Sequence, residues 1–184
     1  MFQDEYFAEE LRRIQFDFED SLLEVDCLKD LEFEKLEGKK ISFRKGMKVK
    51  LPFWLARILE KEGYVKVHVT EKIDYPTLYK KTLGELEHMG LQNINKYFYI
   101  LARMTLEDAE KKKLSLTFRD KQKMEIEIRK LMTSRLSKIL KIAEKEKNIT
   151  NMVRNMTPEE QWLYQLVSDA VKSWKTIWKT KEDQ

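Results

Sequence analysis

The segment Gly46–Val67, GMKVKLPFWLARILEKEGYVKV, changes its hydrophobic period twice, and this limits the folds open to the chain. Met47, Val49 and Leu51 alternate with Lys48 and Lys50, the two-residue period of a half-exposed strand. Pro52 then fits the first turn of a helix, where its missing N–H costs nothing. Leu55, Ile58 and Leu59 give that helix an apolar side, and Gly63 supplies a C-terminal stop. Tyr64, Val65, Val67 and Val69 return to a strand pattern, with Lys66 and His68 on the other face. A strand, a short helix and a strand in such close succession predict a small β-rich module with one helix wedged into it. Pro52, Phe53, Trp54, Leu55 and Ala56 form an apolar run in a chain that is 37% charged. They are expected to be the core motif of that module, covering its sheet with Trp54 as the anchor.

Upstream, an acidic segment carries Phe7, Leu11, Ile14 and Phe18 at helical spacing. Leu31 and Phe33 then alternate with Glu32 and Glu34. Gly38-Lys39-Lys40 reads as a turn before Ile41–Phe43, and Arg44-Lys45-Gly46 as a second turn. Asp74-Tyr75-Pro76 is the expected boundary, because everything after it is patterned for helices. Tyr75, Leu78, Tyr79, Leu83 and Leu86 mark one helix ending near Gly90; Ile94, Tyr97, Phe98, Leu101 and Ala102 mark the next. The charged stretch Glu107–Lys113 leads to the longest, about Thr117–Lys147, with a stripe of Met124, Ile128, Leu131, Met132, Leu136, Ile139, Leu140 and Ala143. Thr157-Pro158-Glu159-Glu160 is the clearest start signal: a capping threonine, proline at the first helical position and a glutamate that can reach back. The predicted class is therefore α+β, mostly α. A small β-rich domain with one short helix and an acidic N-terminal helical segment (1–73) precedes an all-helical bundle domain (75–184).

Composition sets the boundary conditions. With 42% hydrophobic residues, 9 Phe, 7 Tyr and 4 Trp, 184 residues can bury a sizeable core. Five Gly and 3 Pro leave little for an all-β architecture. A single Cys excludes an internal disulfide and a cysteine-based zinc site, and suits a reducing, cytoplasmic compartment. No apolar run is long enough to span a membrane, and the start lacks the pattern of a signal peptide. Lys and Glu richness with sparse Cys suits a hyperthermophile. The net charge of +4 is unevenly spread: residues 1–38 carry 13 acidic and 4 basic side chains, 39–73 carry 10 basic and 3 acidic, and 111–147 carry 13 basic and 5 acidic. Such blocks either steer oppositely charged partners or are simply solvated faces.

Residues for catalysis are scarce. There is no phosphate loop, Gly-rich dinucleotide turn or nucleophile elbow. His68 and His88 are the only histidines, and neither has ligand-spaced partners. Cys27 lies near Asp26 and Asp30, which would raise its pKa and make it a poor nucleophile. We expect no enzyme, no metal and no cofactor. Nucleic-acid binding has more support, since Lys121, Lys123, Arg129, Lys130, Arg135, Lys138, Lys141 and Lys145 could form a phosphate-facing row, although Glu125, Glu127, Glu144 and Glu146 interrupt it. The Pro52–Ala56 helix followed by a strand also suggests a stand-alone winged-helix-like DNA-binding regulator. Against this, a recognition helix needs exposed polar side chains, and Trp54, Leu55, Ile58 and Leu59 look built for burial.

On the last helix Leu163, Leu166, Val167, Ala170, Val171, Trp174 and Trp178 share one face, beside Trp162 and Tyr164. The residues alone leave two readings open. The stripe is a bundle core, or it is wider than one bundle can cover and part of it meets another subunit.

The order of these features resembles the GINS subunits of the replicative helicase assembly. The segment Gly46-Met-Lys-Val-Lys-Leu-Pro52-Phe-Trp54-Leu-Ala56 is similar to that family's Gly, alternating strand and Pro-Leu-Trp-Leu-Ala, with Phe53 in place of the Leu. Thr157-Pro158-Glu159-Glu160 and its helix resemble the family's final helix. The likeness is to the class with the small β domain ahead of the helical one (Psf-two/Psf-three-like), in its archaeal form. It implies a non-catalytic scaffold in DNA replication, bridging the MCM helicase and a Cdc45/RecJ-like partner, with association to primase or DNA polymerase. It also implies a 2:2 heterotetramer with a sister subunit of opposite domain order, cytoplasmic and nucleoid-associated, with at most weak DNA contact. The subunit interface is then expected at Leu163, Leu166, Val167, Ala170, Trp174 and Trp178. The acidic segment is longer than the family's usual start.

Overall fold

In the first helix, α1 (Phe2–Glu19), Ile14 and Phe18 lie four residues apart and are both buried. The Phe18 ring packs on that of Phe53, with centroids 4.3 Å apart. The computed structural model describes residues 2–34, 40–67, 73–110, 117–145 and 153–177. The chain divides into two compact units, Met1–Glu71 and Lys72–Gln184.

In the first unit, Ser21 closes α1 by donating from its hydroxyl to the Phe18 carbonyl at 2.6 Å. The chain then enters β1 (Leu22–Cys27), which is followed by β2 (Leu31–Glu34), β3 (Lys40–Phe43), β4 (Lys48–Pro52), α2 (Phe53–Lys61) and β5 (Val65–Val67). A three-stranded sheet has the order β4-β1-β5, with β1 antiparallel to both neighbours; β2 and β3 pair separately. The central strand is therefore one that the sequence pattern placed in the acidic N-terminal segment. Its period is nonetheless two: Val25 and Cys27 are buried and Leu23 half-buried, whereas Leu22 and Glu24 are exposed. Glu24 stands opposite Lys50, and Asp26 opposite both Lys48 and Lys66. The acidic and basic blocks of the first 73 residues thus meet across the strands of one sheet, where opposite charges stabilise by about 0.2–1 kcal/mol per pair.

Glycine fixes the two ends of the helix–strand module. Gly46 turns the chain into β4 at φ +87°, donating to the Cys27 carbonyl at 2.7 Å. Gly63 at φ +71° ends α2: its N–H meets the Glu60 carbonyl at 3.0 Å and that of Tyr64 meets Leu59 at 2.9 Å. Those two bonds satisfy carbonyls that would otherwise be orphaned, in the arrangement that favours a left-handed glycine. Pro52 lies one residue earlier than expected, capping α2 rather than starting it.

The second unit is helical: α3 (Tyr75–Glu87), α4 (Phe98–Glu110), α5 (Phe118–Ala143) and α6 (Pro158–Thr176). Asp74 caps α3 by accepting from the Thr77 N–H at 3.0 Å. Thr117 with Asp120, and Thr157 with Glu160, form reciprocal capping boxes on α5 and α6. One core gathers Ile73, Leu78, Ile94, Phe98, Ala102, Met124 and Leu131; a second joins Leu91, Ile139, Ile142 and Met156. Ile94 precedes α4 instead of belonging to it, and the charged Glu107–Glu110, expected to be a connector, forms its last turn. The architecture is α+β and mostly helical, a small β region with a helix followed by a helical bundle.

Candidate subunit interface

Besides the packing of Tyr164 on the core of Leu91, Ile139, Ile142 and Met156, a charged cluster joins α6 to the rest of its unit. Arg135, on α5, is 0% exposed. Its Nε and Nη2 donate to Oε1 and Oε2 of Glu160, each at 2.7 Å. Nη1 donates to Glu85 Oε2 at 3.0 Å and to the Gln92 carbonyl at 2.9 Å, and Nη2 also reaches the Asn155 carbonyl at 2.7 Å. All five guanidinium N–H groups are thereby used, which is the condition for burying such a group without large cost. Lys138 Nζ bonds Glu85 Oε1 at 2.7 Å, so two cations face two carboxylates. The Tyr99 hydroxyl of α4 donates to Glu160 Oε1 at 2.5 Å.

The environment tunes these groups. Burial opposes the Arg135 charge, but hydrogen bonds and the charge of Glu160, with Glu85 beyond, hold its pKa above the ordinary value. Burial, then the Glu160 charge and hydrogen bond, push the Tyr99 phenol above its usual range. Sequence reasoning missed this cluster because it placed Arg135 in a solvent-facing row. The available signal was position: Arg135 falls four residues from Leu131 and from Ile139, on the stripe's own face.

That clamp sets which face of α6 is left out. Glu160 and Ser168 are the buried positions of the helix, with Tyr164 and Val171 half-buried near them. The apolar residues singled out from the sequence lie to one side of that buried line. Leu163 and Val167 are half-buried, and Leu166 and Ala170 are exposed. Trp174 is 61% exposed and Ile177 71%. Trp178 lies outside the described residues. Leu163, Leu166, Val167, Ala170 and Trp174 recur at helical spacing and so form one continuous surface. A lone exposed apolar residue is ordinary, whereas here a row of them on one helix is left uncovered within its unit.

In the first unit the wedge is arranged differently from the expectation. Ala56 is the fully buried residue of α2, packed with Val25, Cys27, Leu51 and Val65. Leu55 and Leu59 pack around that core, and Pro52 and Phe53 are half-buried. Trp54 is not the anchor: it is 48% exposed, and Ile58, one turn on, is exposed with it. A nine-residue helix lying on a narrow sheet can bury only one side, and the small Ala56 lets its backbone approach closely.

The row of cations on α5 is not continuous. Arg135 is sealed inside, Lys138 is tied to Glu85, Lys130 pairs with Glu127 at 2.9 Å, and Lys121 pairs with Glu110. Lys123 lies over the Tyr75 ring. His88 is the exposed C-cap of α3, and His68 lies outside the described residues. Cys27 is buried in the small core, and burial, then the Asp26 charge, push its thiol pKa up. Among the described residues no group of three or more His, Cys, Asp or Glu could hold a metal ion, and no helix is long and apolar enough to cross a membrane.

Residues 54–179 match the family model of the GINS complex protein helical bundle domain, Sld5. No curated protein matches the chain.

Proposed function

Since the chain belongs to the GINS complex protein family, we propose that it acts in DNA replication as a non-catalytic scaffold subunit whose α6 stripe docks a sister subunit. The observation that carries this reading is the outward apolar row Leu163, Leu166, Val167, Ala170 and Trp174 on a helix that the Arg135–Glu160 clamp holds in one orientation. A rigid helix presenting aromatic and aliphatic side chains loses little entropy on association, which favours a stable interface.

In this reading residues 1–73 are a small β-rich domain and 75–184 the helical domain, the order of the Psf-two/Psf-three-like class in its archaeal form. The partner is a sister subunit of opposite domain order, in a 2:2 heterotetramer. The assembly bridges the MCM helicase and a Cdc45/RecJ-like protein and associates with primase or DNA polymerase. Contact with DNA is weak and secondary, because half the cations of the α5 row are engaged with carboxylates. These specifics rest on the resemblance of the Gly46–Ala56 and Thr157–Glu160 motifs together with the family match.

Affinity capture of the tagged full chain from its source cell, read by mass spectrometry, tests the assignment. The expected result is a second GINS-family subunit with its helical domain first, recovered with MCM. Recovery of neither would overturn it.

A further inference from the structure

A groove between α3 and α5 plays no part in the interface above. It has a volume of about 690 Å³, with Leu86 of α3 and Ile126 of α5 as its apolar walls, 59% and 52% exposed. Thr133, Ser134 and Ser137 line it between them. The hydroxyls of Thr133 and Ser137 are turned back onto their own helix, donating to the carbonyls of Arg129 and Thr133 at 2.9 and 3.0 Å. Those two hydroxyls therefore have their protons engaged and can only accept.

The charge around the groove has one sign. Arg129, Lys130, Lys138 and Lys141 line it, and among the described residues no carboxylate does. The nearby acids Glu85 and Glu127 are buried beneath, 0% and 4% exposed, where they hold Lys138 and Lys130. Lys138 has its ammonium turned inward to Glu85 and to the Gly90 carbonyl at 2.9 Å. Arg129, Lys130 and Lys141 are exposed at the rim. Ile126 to Lys141 covers about 22 Å of helix at ~1.5 Å per residue, the length of about four turns of a partner helix.

We propose that this groove docks an acidic amphipathic helix from a partner protein. Its bulky apolar side chains would seat against Leu86 and Ile126, and its carboxylates would meet Arg129 and Lys141, Lys130 being already paired with Glu127. This is the helix-in-groove mode, in which apolar anchors provide affinity and rim charges set orientation and encounter rate. A nucleic acid fits less well. A phosphate backbone offers nothing to the two apolar walls, and the inward cations Arg135 and Lys138 are out of its reach.

The test uses the full chain and fluorescence anisotropy with a fluorescein-labelled synthetic 18-residue helical peptide, rich in Asp and Glu and carrying Leu and Phe on one face. Comparison probes are the same peptide with Ser for Leu and Phe, the same with Lys for its acids, and a labelled DNA duplex. We expect the acidic apolar peptide to bind best. Ile126→Ser, and Arg129→Glu with Lys141→Glu, should each weaken it by about tenfold or more. The doubly charge-reversed chain should gain binding to the Lys peptide. These positions are exposed, so thermal midpoints should stay at the wild-type value, and Trp174→Ser should leave peptide binding unchanged. On the wild-type chain, NMR methyl signals of Leu86 and Ile126 should shift on titration. Equal binding of the Ser or Lys peptide, wild-type affinity in the groove variants, unshifted methyls, or tighter binding of the duplex through the same residues would each overturn the proposal.

Discussion

Arg135 and Glu160 meet in a two-point bond, Nε to Oε1 and Nη2 to Oε2, both 2.7 Å, although 25 residues separate them. The pair joins the middle of α5 to the first turn of α6. Replacing Arg135 by Ala leaves Glu85 and Glu160 buried without their principal cation. We expect a loss of about 3–5 kcal/mol in urea unfolding, the range for breaking a buried pair by removing one partner. Arg129→Ala, on the exposed side of the same helix, should change stability by less than about 0.5 kcal/mol.

Tyr99 gives the cluster a dependence on alkaline pH. Burial, the charge of Glu160 and its hydrogen bond raise the phenol's folded-state pKa above the unfolded value of about 10. The folded protein therefore holds the proton where the unfolded chain has released it. This contribution is complete below about pH 10 and is lost as pH rises beyond it. Urea unfolding across that range should show stability falling in the wild type and falling less steeply in Tyr99→Phe.

Thr157 shares its partner with Arg135. Its hydroxyl accepts from the Glu160 N–H at 3.4 Å, and Glu160 Oε2 accepts from the Thr157 N–H at 2.9 Å. Thr157→Ala should cost about 1 kcal/mol, up to ~2, as for other helix caps. Thr157→Ala removes the hydroxyl that holds the Glu160 N–H and keeps the backbone bond to its carboxylate. Because Arg135 holds the side chain of that same residue, Thr157→Ala and Arg135→Ala should be non-additive in a double-mutant cycle.

Cys27 tests the small unit separately. It is buried in the core with Val25, Leu51, Ala56 and Val65, and its thiol pKa is raised first by burial and then by Asp26. Iodoacetamide should label it slowly in the native chain and at the rate of a free thiol in urea. Equal rates in both would mean that the core is open.

Much of the architecture was legible because local signals agreed with one another. The β4-α2-β5 run was read from the period change and its two glycines, and the start of α6 from Thr157-Pro158-Glu159-Glu160, whose capping box is present. The central strand β1 was not legible, since Glu24 and Asp26 extend an acidic helical pattern until the lysines opposite them are known. Arg135 was misplaced for a related reason: a charged residue on an apolar stripe signals burial only when its carboxylates, Glu85 and Glu160, are known to converge on it from α3 and α6. Trp54 is the expected anchor within the apolar run Pro52–Ala56, whereas the residue that α2 buries against its sheet is Ala56.

The scaffold reading turns on the outer face of α6. Light scattering and native mass spectrometry should be run on the chain mixed with a GINS-family subunit of opposite domain order from the same cell, for wild type and for Leu166→Ser with Trp174→Ser. Leu166 and Trp174 are exposed, so the double variant should keep the wild-type thermal midpoint. The expected result is a 2:2 mass for wild type and unassembled subunits for the variant. A variant that assembles as wild type does, or a wild-type chain that stays monomeric beside that subunit, would contradict the account.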